Sequence, residues 1–359
     1  MKVGIVGLPN AGKSSLFRAL TGASADIANY PFTTIEPKVA VVPVSDKRLE
    51  AVARVTRASK VVPDAIEFRD IAGLVAGAHR GEGLGNQFLA NIRETDALVH
   101  VVRVHDDPNV VHPDGRIDPL SDVETVETEL VYADLEQAER RLERVARAAK
   151  SGDRHAIAEE GWVRELIGAL QTGRSARTVP APAAAPDVAT LLSPLSAKPV
   201  LYVANVEEGS VAAPEALAEH ARSTGAHVVA ISARLEAELA ELDETEAVAM
   251  RVDLGLQRSG LEAVVRGAFS LLDLVAFFTA DRDKPAQSWH IHRGASAWEA
   301  AGLIHTDMQR GFVRAEVVAA AELVDAGGYA AARERGTLRI EGRDYELADG
   351  DVVLIRFAP

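Results

Sequence analysis

The run GLPNAGKS, Gly7 to Ser14, has the spacing G-x-x-x-x-G-K-[ST], and its residue types suit the task of holding a chain of phosphates. Gly7 and Gly12 let the backbone close around an anion without Cβ clashes. The N–H groups of Asn10, Ala11, Gly12, Lys13, Ser14 and Ser15, together with a helix N-terminus, then face the charge. Lys13 bridges the β- and γ-phosphates, and the Ser14 hydroxyl is a Mg²⁺ ligand. Asn10 either positions a phosphate or a monovalent cation such as K⁺, or it shapes the turn.

A second element of this chemistry lies in IEFRDIAGL. There Asp70 ends a β-run and is expected to hold Mg²⁺ through a water, while the Gly73 N–H touches the γ-phosphate. Between the two motifs, NYPFTTIEP offers Thr33 and Thr34 to close over the metal, and spacing does not choose between them. Gly77, Gly81, Gly83 and Gly85 make the next segment costly to order, which suits a piece ordered by ligand and released on hydrolysis. Ras-type hydrolases place a water-orienting glutamine after Asp-x-x-Gly. Here the position is Leu74, so a histidine is the candidate replacement, at His79, His105 or His112.

A base pocket is expected at LYVANVEEG. An apolar strand ends in Asn205, and Glu208 stands where a guanine-reading site carries Asp. Glu208 is one methylene too long to accept both guanine N–H donors without folding back, and Val206 replaces the lysine whose stem covers the base. Adenine presents a donor beside an acceptor, so a backbone C=O and N–H pair near Asn205 and Val206 is the expected reader. Ser232 and Ala233, after the next strand, are expected to back the base.

The elements that must position these groups alternate. Strands are expected at residues 2–6, 39–42, 65–68, 97–102, 200–204 and 227–231, with helical patterns between several of them, which indicates a mostly parallel α/β sheet. One interval interrupts the alternation. From Ser121, capped with Glu124, an amphipathic helix carries Val123, Val126, Leu130, Leu135, Ala138, Leu142, Val145 and Ala149 at helical spacing. A second helix over 155–170 and a Pro/Ala-rich, loop-like return complete an antiparallel helical arm. After Gly260 a helix leads into a separate α+β region of four strand-like runs and a helix capped by Ser296 and Glu299.

These motifs, in this order, resemble the Obg-related GTPase class, and within it the YchF branch, the Obg-like ATPases. The residues that carry the likeness are GLPNAGKSS, YPFTTIEPK, DIAGLVAGAHRGEGLGNQFL, NVEE and the tail from AAGLIHTDMQRGFVRAEVV to GRDYELADGDVVLIRF, nearly the whole chain. The resemblance implies a Ras-like P-loop domain over 1–120 and 197–274, an inserted helical arm over 121–196, and a C-terminal TGS domain of β-grasp, ubiquitin-like fold over 275–359. It further implies Mg²⁺-dependent hydrolysis with ATP preferred over GTP, and association with the ribosome. By the same match Thr34 is the metal-side threonine, and His112 falls where the family carries a loop histidine. The phosphate loop departs mildly, reading Asn-Ala-Gly-Lys-Ser-Ser where the family usually has Asn-Val-Gly-Lys-Ser-Thr. Two other readings stay open: a guanine-specific GTPase with Glu208 in the Asp role, and a non-catalytic adaptor gated by nucleotide, motivated by Leu74.

Composition sets outer bounds. The 359 residues, 47% hydrophobic and 26% charged, are ordinary for a soluble protein of two or three domains. The absence of cysteine excludes disulfides and thiolate metal sites. No apolar run approaches a membrane span and MKVGIVGLP is too short for a signal peptide, so a cytoplasmic protein without a membrane partner is expected. A monomer is the default reading. The net charge of −14 argues against broad nucleic-acid binding. Residues 276–359 carry ten basic and thirteen acidic side chains, the less acidic part and the better candidate to meet RNA. Within it, His305, Thr306 and Asp307 are expected to form a turn rather than a metal site, and Trp289 and Trp298 to lie in or near the core.

Overall fold

The structure is a computed structural model, described for residues 1–24, 38–71, 84–105, 117–210, 212–256 and 259–358. Among these lie twelve strands: β1 (Lys2–Val6), β2 (Val39–Pro43), β3 (Val61–Val62), β4 (Ala65–Asp70), β5 (Ala97–Arg103), β6 (Val200–Asn205), β7 (His227–Ile231), β8 (Leu274–Thr279), β9 (Ala286–His292), β10 (Phe312–Ala319), β11 (Arg339–Glu341) and β12 (Asp351–Phe357). Two compact units divide the chain, Met1–Val42 with Glu67–Leu271, and Pro43–Ile66 with Leu272–Pro359.

The first unit is built on a sheet in the order β2-β4-β1-β5-β6-β7. β1 pairs in parallel with β4 on one side and β5 on the other, and β5–β6 and β6–β7 are parallel too. Every residue of β5 and β6 is buried, as largely apolar runs demand when helices cover both faces. Because β1 has a neighbour on each side, the loop leaving its C-terminal end opens at the middle of the sheet, where parallel α/β sheets bind ligands.

The arm begins earlier than its capping pattern indicated. The helix Pro119–Ala149 is capped by Asp118, which accepts from the Ser121 N–H at 3.2 Å, so Ser121 lies inside the first turn. Pro119 explains the earlier start, since its fixed φ and missing N–H suit the first helical position. The N-terminal half of the stripe, Val123, Val126 and Leu130, joins the sheet core with Leu98, Val102 and Tyr202. Farther along, Val131 and Ala138 pack with Trp162, Val163, Leu166 and Leu170 of the helix Arg154–Gln171. The Pro/Ala-rich return is more ordered than its composition indicated. It contains a helix, Val188–Leu192, and buries Val179, Ala185, Val188 and Leu192 in the arm core. The buried Asp134 carboxylate anchors its end, accepting from the Leu195 and Ser196 N–H groups at 2.7 and 2.8 Å.

The second unit is α+β, with its sheet in the order β11-β10-β12-β8-β9-β3. β10–β12 and β8–β9 are antiparallel and β12–β8 is parallel. Its helix Ala297–Ile304 has the expected capping box of Ser296 and Glu299. His305 caps the next short helix, its Nδ1 accepting from the Asp307 N–H at 3.1 Å. Trp289 stacks on Phe277, with ring centroids 6.4 Å apart, whereas Trp298 stays 39% exposed. Residues 43–66, read from sequence as part of the nucleotide domain, are built into this unit. The helix Lys47–Thr56 places Leu49, Val52 and Ala53 against Phe278, Val318 and Leu323, and β3 pairs with β9. Among the described residues no helix is long and apolar enough to cross a membrane.

Candidate nucleotide site

The loop after β1 has the backbone that its glycines imply. Gly7 (φ 146°) and Gly12 (φ 104°) occupy conformations that side chains disfavour, and Asn10 sits in the left-handed region at φ 64°. Space decides as well: a Cβ on Gly7 would lie 2.4 Å from the Val101 carbonyl oxygen, and one on Gly12 would lie 2.3 Å from Asn205 Nδ2. The helix Lys13–Ser24 starts at once, so its free N–H groups point toward the loop. Ser14 is exposed and Ser15 half-buried on its first turn.

A cavity of about 620 Å³ brings together Asn10, Gly12, Lys13, Ser14 and Ser15 with Asn205, Val206, Glu208 and Ser232. Lys13 is nearly buried, and its ammonium donates to the Gly7 and Leu8 carbonyls at 2.9 and 2.7 Å. Burial pulls its pKa below the ordinary lysine value, while the charge of Asp70 works in the opposite direction. Asp70 ends β4 in register with Ile5, one strand from the phosphate loop, and its own N–H donates to the Lys38 carbonyl at 3.1 Å.

Asn205 ties the site together. Its Nδ2 donates to the Ala11 carbonyl and its Oδ1 accepts from the Ala233 N–H, both at 3.0 Å. Ala11 and Ala233 therefore act through their backbones. Ser232 caps the helix Ala233–Leu239, accepting from the Leu235 N–H. The expectation that the Val206 N–H reads adenine is corrected by the sheet: that N–H donates to the Ile231 carbonyl at 2.9 Å, extending the β6–β7 ladder. The Asn205 carbonyl is likewise engaged, by the Val104 N–H at 3.2 Å and by His105 Nδ1 at 2.8 Å. Glu208 faces Arg234, its Oε1 lying 3.5 Å from Arg234 Nε on the exposed rim.

Thr33, Thr34, Gly73, Leu74, His79 and His112 lie outside the described residues. Three side chains of the cavity had no assignment from sequence, Arg103, Glu207 and Arg234, while His105, one of the three candidate water-orienting histidines, also lines it. Arg103 is 2% exposed and its Nε donates to the His105 carbonyl at 3.0 Å. A basic residue closing the otherwise largely apolar, fully buried strand ALVHVVR was the available signal. Arg234 had none, since its role depends on the turn after β7.

Known proteins show the same combination. Residues 2–137 match a family described as 50S ribosome-binding GTPase. Residues 274–358 match the YchF-GTPase_C family, described as a protein of unknown function (DUF933). A ribosome-binding ATPase YchF of Haemophilus influenzae is 46% identical over 359 residues, and the one of Bacillus subtilis 44% over 363, each alignment covering 99% of both chains. Among solved structures, the Schizosaccharomyces pombe YchF GTPase superposes with a TM-score of 0.87 at 31% identity, covering 99% of this chain and 97% of that one. A GTP-binding protein from Pyrococcus horikoshii, at 21% identity and a TM-score of 0.64, shares the fold. Full-length identity, the phosphate loop and the inserted arm agree: the chain belongs to the YchF family of P-loop proteins.

Proposed function

We infer that the protein hydrolyses ATP to ADP and phosphate with Mg²⁺, binds GTP more weakly, and engages the ribosome in a nucleotide-dependent way. The observation carrying this reading is the single cavity that joins a phosphate loop of the required geometry to a base pocket altered at Val206 and Glu208. Ribosome binding rests on the names of relatives 44–46% identical over their whole length. A cytoplasmic location is part of the same proposal.

In the bound state Lys13 leaves the Gly7 and Leu8 carbonyls for the β- and γ-phosphates, while the loop N–H groups and the helix N-terminus hold the remaining oxygens. Ser14 and Asp70 offer the hard oxygen donors that Mg²⁺ takes, Asp70 acting through water, and Thr34 completes the proposed set. Held there, Mg²⁺ would supply positive charge beside the transferring phosphoryl group. The Gly73 N–H contacts the γ-phosphate and His112 orients the attacking water in place of the glutamine lost at Leu74. K⁺ at Asn10 is a further element of the proposal, checked by comparing hydrolysis in K⁺ and Na⁺.

Base preference follows from what is missing for guanine. Arg234 draws the Glu208 carboxylate to the rim, and Val206 supplies no covering lysine stem. The domain limits implied by the resemblance, 1–120 with 197–274, 121–196 and 275–359, are retained as a functional division, the TGS region being the proposed RNA or ribosomal contact. Calorimetric titration with ATP and GTP, each with and without Mg²⁺, tests the reading. Tighter ATP binding that needs Mg²⁺ is expected, and a GTP preference on the order of a hundredfold overturns it.

A further inference from the structure

A second cavity, of about 790 Å³, lies in the first unit between the sheet and the helix Pro119–Ala149, apart from the nucleotide pocket. Its size falls in the range of small-molecule sites, about 300–1,000 Å³. Leu98, Val126, Leu130 and Val200 supply apolar wall. His100 and Tyr202, directly paired on β5 and β6, also line it, with ring centroids 5.7 Å apart.

The two rings differ in one respect. The Tyr202 hydroxyl is satisfied, donating to Glu127 beside His220. His100 is 3% exposed, and its imidazole makes no hydrogen bond to any described residue, although it lines the cavity. An imidazole that faces a cavity without a protein partner offers its nitrogens to a ligand or to water. Burial, with Lys13 and His220 adding repulsion, lowers the imidazole pKa to about 3, so the ring is neutral, with one donor and one acceptor nitrogen. Exposed Glu124, Thr128 and Arg174 gather at the mouth, where a polar tail would meet solvent.

We propose that this cavity is a second small-molecule site, taking a neutral, planar heteroaromatic ring that hydrogen-bonds His100 and stacks its body on the apolar wall. Benzimidazole is the probe: it is neutral at pH 8 and carries a ring N–H and a ring nitrogen acceptor. The full-length protein, ¹⁵N-labelled at histidine and saturated with Mg²⁺-ADP to occupy the nucleotide pocket, is titrated by NMR. The His100 signals are assigned by their loss in His100→Phe. A saturable His100 shift with a dissociation constant below about 1 mM is expected. Leu130→Trp, which fills the cavity, and Thr128→Trp, which blocks its mouth, should each weaken binding at least about tenfold. His100→Phe should weaken benzimidazole by about 2–10-fold while sparing its apolar analogue indene, as the loss of one hydrogen bond predicts. No saturable shift up to the probe's solubility, or undiminished binding in both tryptophan variants, overturns the site. Equal weakening of both probes in His100→Phe overturns the role of the imidazole.

Discussion

Asn205 Nδ2 donates to the Ala11 carbonyl at 3.0 Å, so one side chain at the end of β6 holds the phosphate loop. Its other end holds the Ala233 N–H behind the proposed base pocket. In this fold the asparagine is thus a brace between two loops. Asn205→Ala would leave two buried backbone groups unpaired, at about 1–3 kcal/mol each. ATP and GTP affinity should both fall by about ten- to a hundredfold with their ratio kept, as read by calorimetry. A selective loss of one nucleotide would show that Asn205 reads the base.

Lys13→Ala should lower Mg²⁺-ATP turnover by about 10²–10³, the usual cost of removing one preorganised charge from a transition state. Single-turnover hydrolysis measures this. Unchanged turnover would remove the catalytic reading of the loop.

Gly12→Ala and Gly209→Ala separate strain from steric conflict. Both glycines have positive φ, 104° and 83°, but only at Gly12 would a Cβ meet an atom, Asn205 Nδ2. Gly209→Ala should cost only the backbone strain, on the order of 1 kcal/mol, and spare nucleotide binding. Gly12→Ala should also break the brace and lose nucleotide affinity. Urea denaturation and nucleotide titration of both variants check the difference.

Glu208 and Arg234 form an exposed pair, worth about 0.2–1 kcal/mol. Arg234→Ala frees the carboxylate and should move the ATP/GTP affinity ratio toward GTP by at most about fivefold. A larger shift in competition binding would make Arg234 itself a reader of the base.

His100 makes stability depend on acid. Its folded pKa lies near 3, below the ordinary histidine value, so between pH 6.5 and 3 the unfolded chain binds the extra proton. Stability is therefore full above about pH 6.5 and falls as pH drops, by up to about 1.4 kcal/mol per unit from this group. Urea denaturation at pH 7, 6 and 5 should show a steeper loss in the native protein than in His100→Phe. Parallel slopes would mean that the imidazole protonates freely in the folded state.

Much of the fold and of the phosphate site was legible in sequence because the signals are local. Gly7, Gly12, Lys13 and Ser14 fix a loop by spacing alone, and largely apolar runs mark β5 and β6. Asn205 was legible as the residue ending a strand, but its partners are set by how β6 lies beside β1 and β7. The same pairing takes the Val206 N–H for Ile231, which no local pattern announces. Arg103 and Arg234 reach the cavity as single residues without a motif. The destination of residues 43–66 was hidden because Leu49 and Val52 meet partners more than 220 positions away. Thr34, Gly73 and His112 keep the roles that the resemblance implies as proposals to be tested.

That long detour has a consequence for synthesis. Emerging from a translating ribosome N-terminus first, the chain releases the Lys47–Thr56 helix long before Phe278, Val318 and Leu323 exist to cover it. Its apolar stripe must wait through the making of the entire arm and most of the nucleotide unit. A nascent chain halted near residue 271 would hold the phosphate loop but leave Leu49, Val52 and Ala53 without their cover from the second unit. Such a truncated product is a natural client for chaperones, and the last strands made complete a core begun by some of the first.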